Sequence, residues 1–376
     1  MEIIQKLSYT IGELPFKYLG IPLATKKLSL IQWHPLIEKI VARIFSWTAK
    51  KLSYTGRVQL VQTVLFGIQS YWSQLFNLLM KVMKMIAAYC RSYIWPGINT
   101  ITKKSLVAWD RMCTPKLRGG YGLINLQMWN RAAIAKLCWD VASKRDSLWI
   151  RWIHAYYIKD KRIEDIAIPQ QASWMVRQIL SARTVLQQIQ HRQQAKKSMI
   201  SQFYYQLLGN SPRVVWNSMM FKNKAKPKVI FTMWVQLQGT LLTAYRLIKS
   251  GVNVDPRYSL CQLNDETRDH LFVSCSFTKT VWQKVLQWMR RQEVIGDNWG
   301  QHQEWITQRA KGRSYGAQLY IMVYAEVTHG VWIERNMRIF QQRSRSADSI
   351  AREIAYICNV RATKGISSLV QHFMFH

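Results

Sequence analysis

Acidic side chains are scarce: 20 Asp and Glu stand against 53 Lys and Arg in 376 residues, a formal charge of +33. Polymerase and nuclease sites need two or more carboxylates converging on Mg2+. The candidates here reduce to two adjacent pairs, Glu164-Asp165 and Asp265-Glu266. Neighbours along a helix or strand point in different directions, so both pairs read as surface charge and no Mg2+ site is found. HExxH, GxSxG and GxxxxGK[ST] patterns are absent as well, which leaves no starting point for a metalloprotease, a serine hydrolase or an NTPase.

Long apolar runs are missing too. A membrane-spanning helix needs about 20 nearly uninterrupted apolar residues, and the best stretch, Val58 to Met80, is broken by Gln59, Gln62, Gln69, Gln74 and Asn77. The first twenty residues lack the basic-then-apolar order and the small-residue cleavage site of a secretory signal. Six cysteines, at 90, 113, 138, 261, 275 and 358, are too dispersed for a secreted disulfide framework, and this points to a reducing compartment.

What is present is a foldable and strongly basic chain. Hydrophobic residues make up 49%, including 17 Trp, so disorder from low hydrophobicity is excluded for most of the length. An excess of positive charge repels itself in the compact state and is usually neutralised by a polyanion. RNA or DNA is the leading partner; a membrane surface, or no polyanion at all, are the competing readings.

The apolar spacing is mainly helical. Trp33, Leu36, Ile37, Ile40, Val41, Ile44 and Phe45 mark one helix. A second is expected from Arg57 to about Leu79 with Thr55 as its cap, and a third from Lys81 to Trp95, stopped by Pro96-Gly97. Before the first lie one or two extended pieces in ELPFKYLGIPLATKK. Gly119, Gly120 and Gly122 fit no phosphate-binding loop and read as a tight turn, leading into a helix from Leu126 to Ala142. Gln187 to Lys197 marks a domain boundary, and helical periodicity returns over Leu319–Phe340 and Ala347–Arg361. The fold class expected is mainly α, a multi-domain helical protein with a small zinc-binding-like domain of short elements.

Two constellations carry chemistry. Cys261, His270 and Cys275 are spaced like three zinc ligands, but a structural zinc site takes four and Tyr258 stands where a CxxC pair would supply the last. Zinc on an incomplete protein shell, or packing and hydrogen bonding without metal, are the two readings. Basic residues interleaved with aromatics recur along the chain, and Lys50, Lys51 and Arg57 in one turn are the best candidates for phosphate contact. The tryptophans are expected mostly in the core.

Leu14-Pro-Phe-Lys-Tyr-Leu-Gly-Ile-Pro-Leu23, the stretch Leu52-Ser-Tyr-Thr-Gly-Arg57 and Arg118-Gly-Gly-Tyr-Gly-Leu-Ile-Asn-Leu126 resemble, in that order, the segments that follow the palm in plant LINE-type (non-LTR retrotransposon) reverse transcriptases. Ala225-Lys-Pro-Lys228, Phe231, Trp234 and the run from Cys261 to Cys275 are similar to the zinc-binding domain at the C-terminus of those proteins, and Trp332-Ile-Glu-Arg-Asn336 with Phe340 to the helical tail after it. The resemblance implies a thumb-like helical domain (1–96), a helical connector (97–198), a reverse transcriptase zinc-binding-like domain (199–290) and a helical tail (291–376). It places the catalytic palm upstream of Glu13, so this chain is expected to be no enzyme. Instead it would be a non-catalytic retrotransposon-derived fragment that binds RNA, RNA–DNA hybrid or DNA. A protein-interaction module, a nonfunctional remnant and an RNA-directed DNA polymerase are the alternatives. Zinc is the implied cofactor, with Cys261, His270 and Cys275 as the transferable ligands. Nuclear residence is implied, with no secretion and no membrane partner.

Overall fold

The computed structural model describes residues 16–18, 21–23, 27–46, 52–98, 100–189, 198–220, 223–257, 260–261 and 264–370. The chain is mainly α. The strand pair expected at the start is present among the described residues: Phe16–Tyr18 pairs antiparallel with Ile21–Leu23, Phe16 opposite Leu23. Two compact units divide the chain. The first comprises Met1–Lys51, Arg57–Lys103 and Leu123–Ser211; the second comprises Leu52–Gly56, Lys104–Gly122 and Pro212–His376.

In the first unit the helix Leu30–Phe45 buries Trp33, Leu36, Ile37, Ile40 and Ile44, the positions its periodicity selects. The next helix is Tyr54–Ser70, and the continuous helix expected to Leu79 is corrected: Tyr71 leaves helical geometry, and a short helix, Trp72–Leu75, follows. A distant side chain secures the end of that short helix. Buried Asn130 accepts from the Leu78 N–H at 2.9 Å and donates to the Ser73 and Phe76 carbonyls at 2.8 and 2.7 Å, satisfying backbone groups that the break releases. Thr55 is not the cap. Ser53 Oγ accepts from the Gly56 N–H at 3.3 Å, which places the cap one residue before the helix.

The helix Met80–Ile94 ends at Pro96-Gly97 as expected. Its successor Leu126–Ala142 starts at Asn125, whose side chain accepts from the N–H groups of Gln127 and Met128. Ala132, Ala135, Cys138 and Val141 line its buried side, and the helices Trp174–Ser181, Arg183–Gln187 and Met199–Leu207 pack there. The boundary read at Gln187 to Lys197 falls largely on residues 190–197, outside the described residues.

The second unit is arranged around the helix Tyr315–Gln341, against which Pro227–Leu237, Trp299–Arg309 and Ala347–Arg361 pack. The glycine turn serves as a structural anchor in this unit. Gly119 and Gly122 hold φ of +85° and +82°, which glycine adopts without steric cost. A Cβ on Gly120 would lie 1.9 Å from the Thr114 carbonyl oxygen. The turn delivers the Gly119 carbonyl to the indole N–H of fully buried Trp234 at 3.0 Å.

Candidate metal centre and nucleic-acid interface

The candidate metal centre is built by a π-helical turn, His270–Ser274, closed by the Cys275 N–H donating to the His270 carbonyl at 3.0 Å. Cys275 then caps the helix Ser276–Trp288. Burial pushes its thiol up, while hydrogen bonds from the Thr278 and Phe277 N–H groups act in the opposite direction. Cys261, reached through the turn at Leu260, brings its Sγ to 3.0 Å from His270 Nε2. Burial lowers the His270 pKa, which favours the neutral, metal-ligating imidazole, and its Nδ1 lies 3.2 Å from Ser274 Oγ, a contact that orients the ring.

The three donor atoms lie within 4.8 Å of one another, and among the described residues this is the one His/Cys/Asp/Glu group of three that converges so. Ligands on a tetrahedral zinc ion are separated by roughly 3.5–3.8 Å, as bond lengths of about 2.0–2.3 Å require. The donor set fits zinc in type, and its spacing, 3.0 Å for the Cys261–His270 pair and within 4.8 Å throughout, brackets what a single ion needs. Tyr258, the residue in the expected fourth position, lies outside the described residues.

Two buried carboxylates hold the loops that carry these ligands. Glu266 is 1% exposed, so reading Asp265-Glu266 as a surface pair is corrected for Glu266: its Oε1 accepts from the Ala244 N–H at 2.9 Å and its carboxylate takes the Arg335 guanidinium at 2.7–3.1 Å. Glu334 accepts from Arg338 at 2.8 Å and from the Arg345 N–H and guanidinium at 2.8 and 3.0 Å. Burial acts to raise the Glu334 carboxyl, but the hydrogen bonds from Arg345 and Arg338 outweigh it and hold the group low. Arg338 in turn donates to the Leu260 carbonyl at 3.1 Å, next to Cys261. The segment Trp332-Ile-Glu-Arg-Asn336 thus fixes the metal loops from a separate helix. Glu164 and Asp165 are exposed, as read.

Residues 199–282, which include the three donors, match the family described as zinc-binding in reverse transcriptase. The three donors thus lie in a stretch that is similar to a reverse-transcriptase zinc-binding domain. A protein of Arabidopsis thaliana, provisionally named a ribonuclease H protein, is 27% identical over 154 residues, 41% of this chain. The match spans 25% of that relative's length. The retrotransposon resemblance read from the sequence is thereby supported by both comparisons.

The expected phosphate-binding turn divides differently. Lys50 and Lys51 lie outside the described residues. Arg57 is engaged structurally: its Nη1 donates to the carbonyls of Ile94 and Trp95 at 3.2 and 3.1 Å, closing the end of the Met80–Ile94 helix.

A basic, aromatic surface appears elsewhere. The helix Leu148–Ile153 and the π-helical turn His154–Ile158 bury Ile150, Ile153 and Ile158 on one side. On the other, Trp149, Trp152 and Tyr156 remain 37%, 44% and 68% exposed. Lys144, Arg145, Arg151, Lys159, Lys161 and Arg162 around them are all exposed, with Arg151 paired to Asp146 and Arg145 to Asp140, and they outnumber the exposed acids of the stretch, Asp146, Asp160, Glu164 and Asp165. The sequence carried the signal, because Trp149, Trp152 and Tyr156 follow helical spacing out of phase with the isoleucines, but assigning the tryptophans to the core concealed it.

Proposed function

We propose that this chain is a non-catalytic, LINE-type retrotransposon fragment of plant kind that binds RNA or RNA–DNA hybrid mainly through phosphates, with zinc on Cys261, His270 and Cys275 and residence in the nucleus. The observation that carries the reading is the charge: pairing every carboxylate with one cation would still leave a net +33. Such an excess recruits a polyanion and is costly without one. The exposed aromatics of residues 149–156 among six exposed cations add the stacking that unpaired bases need. Zinc, when bound, is a structural cross-link between the Cys261 turn and the π-helical turn. Its Cys and His donors suit a closed, non-hydrolytic site better than a carboxylate-rich catalytic one. Among the described residues no helix is long and apolar enough to cross a membrane.

Binding to single-stranded RNA, RNA–DNA hybrid and duplex DNA across a salt series tests the proposal. Log affinity is expected to fall with log salt by about 0.7 per phosphate for single strands and about 0.9 for duplex DNA. Salt-insensitive or absent binding would reject it and favour a protein partner. The ribonuclease H name of the Arabidopsis relative favours a second reading, nucleolytic activity on a hybrid; Mg2+-dependent hybrid cleavage by the purified chain would establish it, and inactivity would leave the binding role.

A further inference from the structure

A cleft of about 680 Å3 opens beside the metal centre, within the second unit. Its size falls inside the roughly 300–1,000 Å3 of ordinary small-ligand sites. One wall is the end of the Pro227–Leu237 helix and the turn after it; another is the segment 267–269, immediately before His270. Trp299 closes the cleft from the start of the Trp299–Arg309 helix.

Two guanidiniums meet there. Arg268 lies with its Cζ 4.3 Å from the centroid of the Trp299 ring, and the charge of the neighbouring Asp269 acts on its guanidinium. Gly239, at φ +69°, makes room for it: a Cβ at that position would stand 2.9 Å from Arg268 Nη1. Arg246 donates one N–H to the Gly239 carbonyl at 2.6 Å, which fixes its plane along the same wall and leaves its other donors for a ligand. Against these two cations the cleft sets one carboxylate, Asp269, and an exposed aromatic ring, Tyr245.

The two cation-bearing elements are tied together by hydrogen bonds. The Glu266 side chain accepts from the Ala244 N–H and from Arg335, and its carbonyl accepts from the Tyr245 N–H at 3.2 Å. The elements that carry Arg246 and Arg268 are therefore joined through one residue. Part-buried guanidiniums with donors to spare recognise planar oxyanions, and a ring under one of them adds a stacking plane.

We infer that this cleft binds an unpaired nucleotide of a single strand, its phosphate held by Arg246 and Arg268 and its base against Tyr245 and the Trp299 edge of the cleft. The inference rests on the nucleic-acid reading above and assigns it a specific site. It also gives the metal centre a purpose, since a cross-link at His270 steadies the wall that includes Arg268.

The test uses the full chain and a short single-stranded RNA carrying 4-thiouridine. Irradiation is expected to cross-link Tyr245 or Trp299, identified by peptide mapping. Arg246→Gln with Arg268→Gln is expected to lower single-strand affinity about tenfold and flatten the salt slope by about 0.7, the contribution of one phosphate, with duplex affinity unchanged. Cross-links confined to other residues, such as Trp149, Trp152 or Tyr156, would overturn the cleft and leave the general reading standing. No RNA binding at low salt would overturn both. The cross-link on the unsubstituted chain decides the matter even if the double variant fails to fold.

Discussion

Glu266 and Arg335 form a charge pair removed almost entirely from water, with side-chain exposures of 1% and 6%. Removing one partner of such a pair strands the other. Arg335→Met is expected to cost about 3–5 kcal/mol in chemical denaturation, and a loss below 1 kcal/mol would show that the pair is not the junction described. Glu326, also buried, has its carboxyl pushed up to about 7, burial prevailing over the opposing charges of Lys226 and Arg361. The folded state therefore keeps a proton that the unfolded chain releases near 4.5, and stability contributed by the neutral acid is lost as pH rises from about 4.5 to about 7. His302 and His329, lowered to about 4 by burial, work in the opposite direction: the unfolded state takes up protons first, so their contribution falls as pH drops from about 6.5 to about 4. Comparing Glu326→Gln with the parent isolates the acid: the variant should gain stability relative to the parent between pH 5 and pH 7, on the order of 2 kcal/mol. Parallel pH profiles would refute the assignment.

At the scale of elements, the two π-helical turns serve different ends. His270–Ser274 sets a histidine and the following cysteine toward Cys261, and the purified chain is expected to hold about one zinc per molecule, lost in Cys275→Ser and held more tightly in Tyr258→Cys, as four-ligand geometry requires. Elemental analysis with chelator competition measures both; a metal-free parent that Tyr258→Cys converts to a zinc-bound one would show a decayed site. His154–Ile158 prolongs a helix that presents aromatics to solvent. Because Trp152 and Tyr156 are exposed, Trp152→Ala with Tyr156→Ala should leave stability within about 0.5 kcal/mol. The same variant should weaken single-strand binding at least about tenfold, given about 1–3 kcal/mol per stacked base. Unchanged single-strand affinity in that variant would return those rings to the role of plain surface.

Over the whole molecule the dominant quantity is the unbalanced charge of +33. A ligand that binds the folded state and relieves self-repulsion stabilises it. Polyuridylate is expected to raise Tm at low salt, with the gain vanishing as added salt screens the phosphates; a Tm indifferent to polyanion at every salt concentration would argue that the charge is not used in this way. The chain by itself determined the helical class, because the 3.6-residue spacing of Trp33 to Ile44 and the exact limits of Leu126–Ala142 and Ala347–Arg361 arise from local periodicity and capping. It also singled out the group Cys261, His270 and Cys275, since cysteine and histidine at nine- and five-residue separations are unusual enough to stand out. Partners distant along the chain decided the rest. The end of the short helix Trp72–Leu75 is held by Asn130, the burial of Glu266 depends on Arg335, and the anchoring of Arg57 to backbone carbonyls depends on the end of the Met80–Ile94 helix. Hydrogen bonds and ion pairs across 37 to 69 residues leave no periodic trace, so only tertiary packing could bring those groups together.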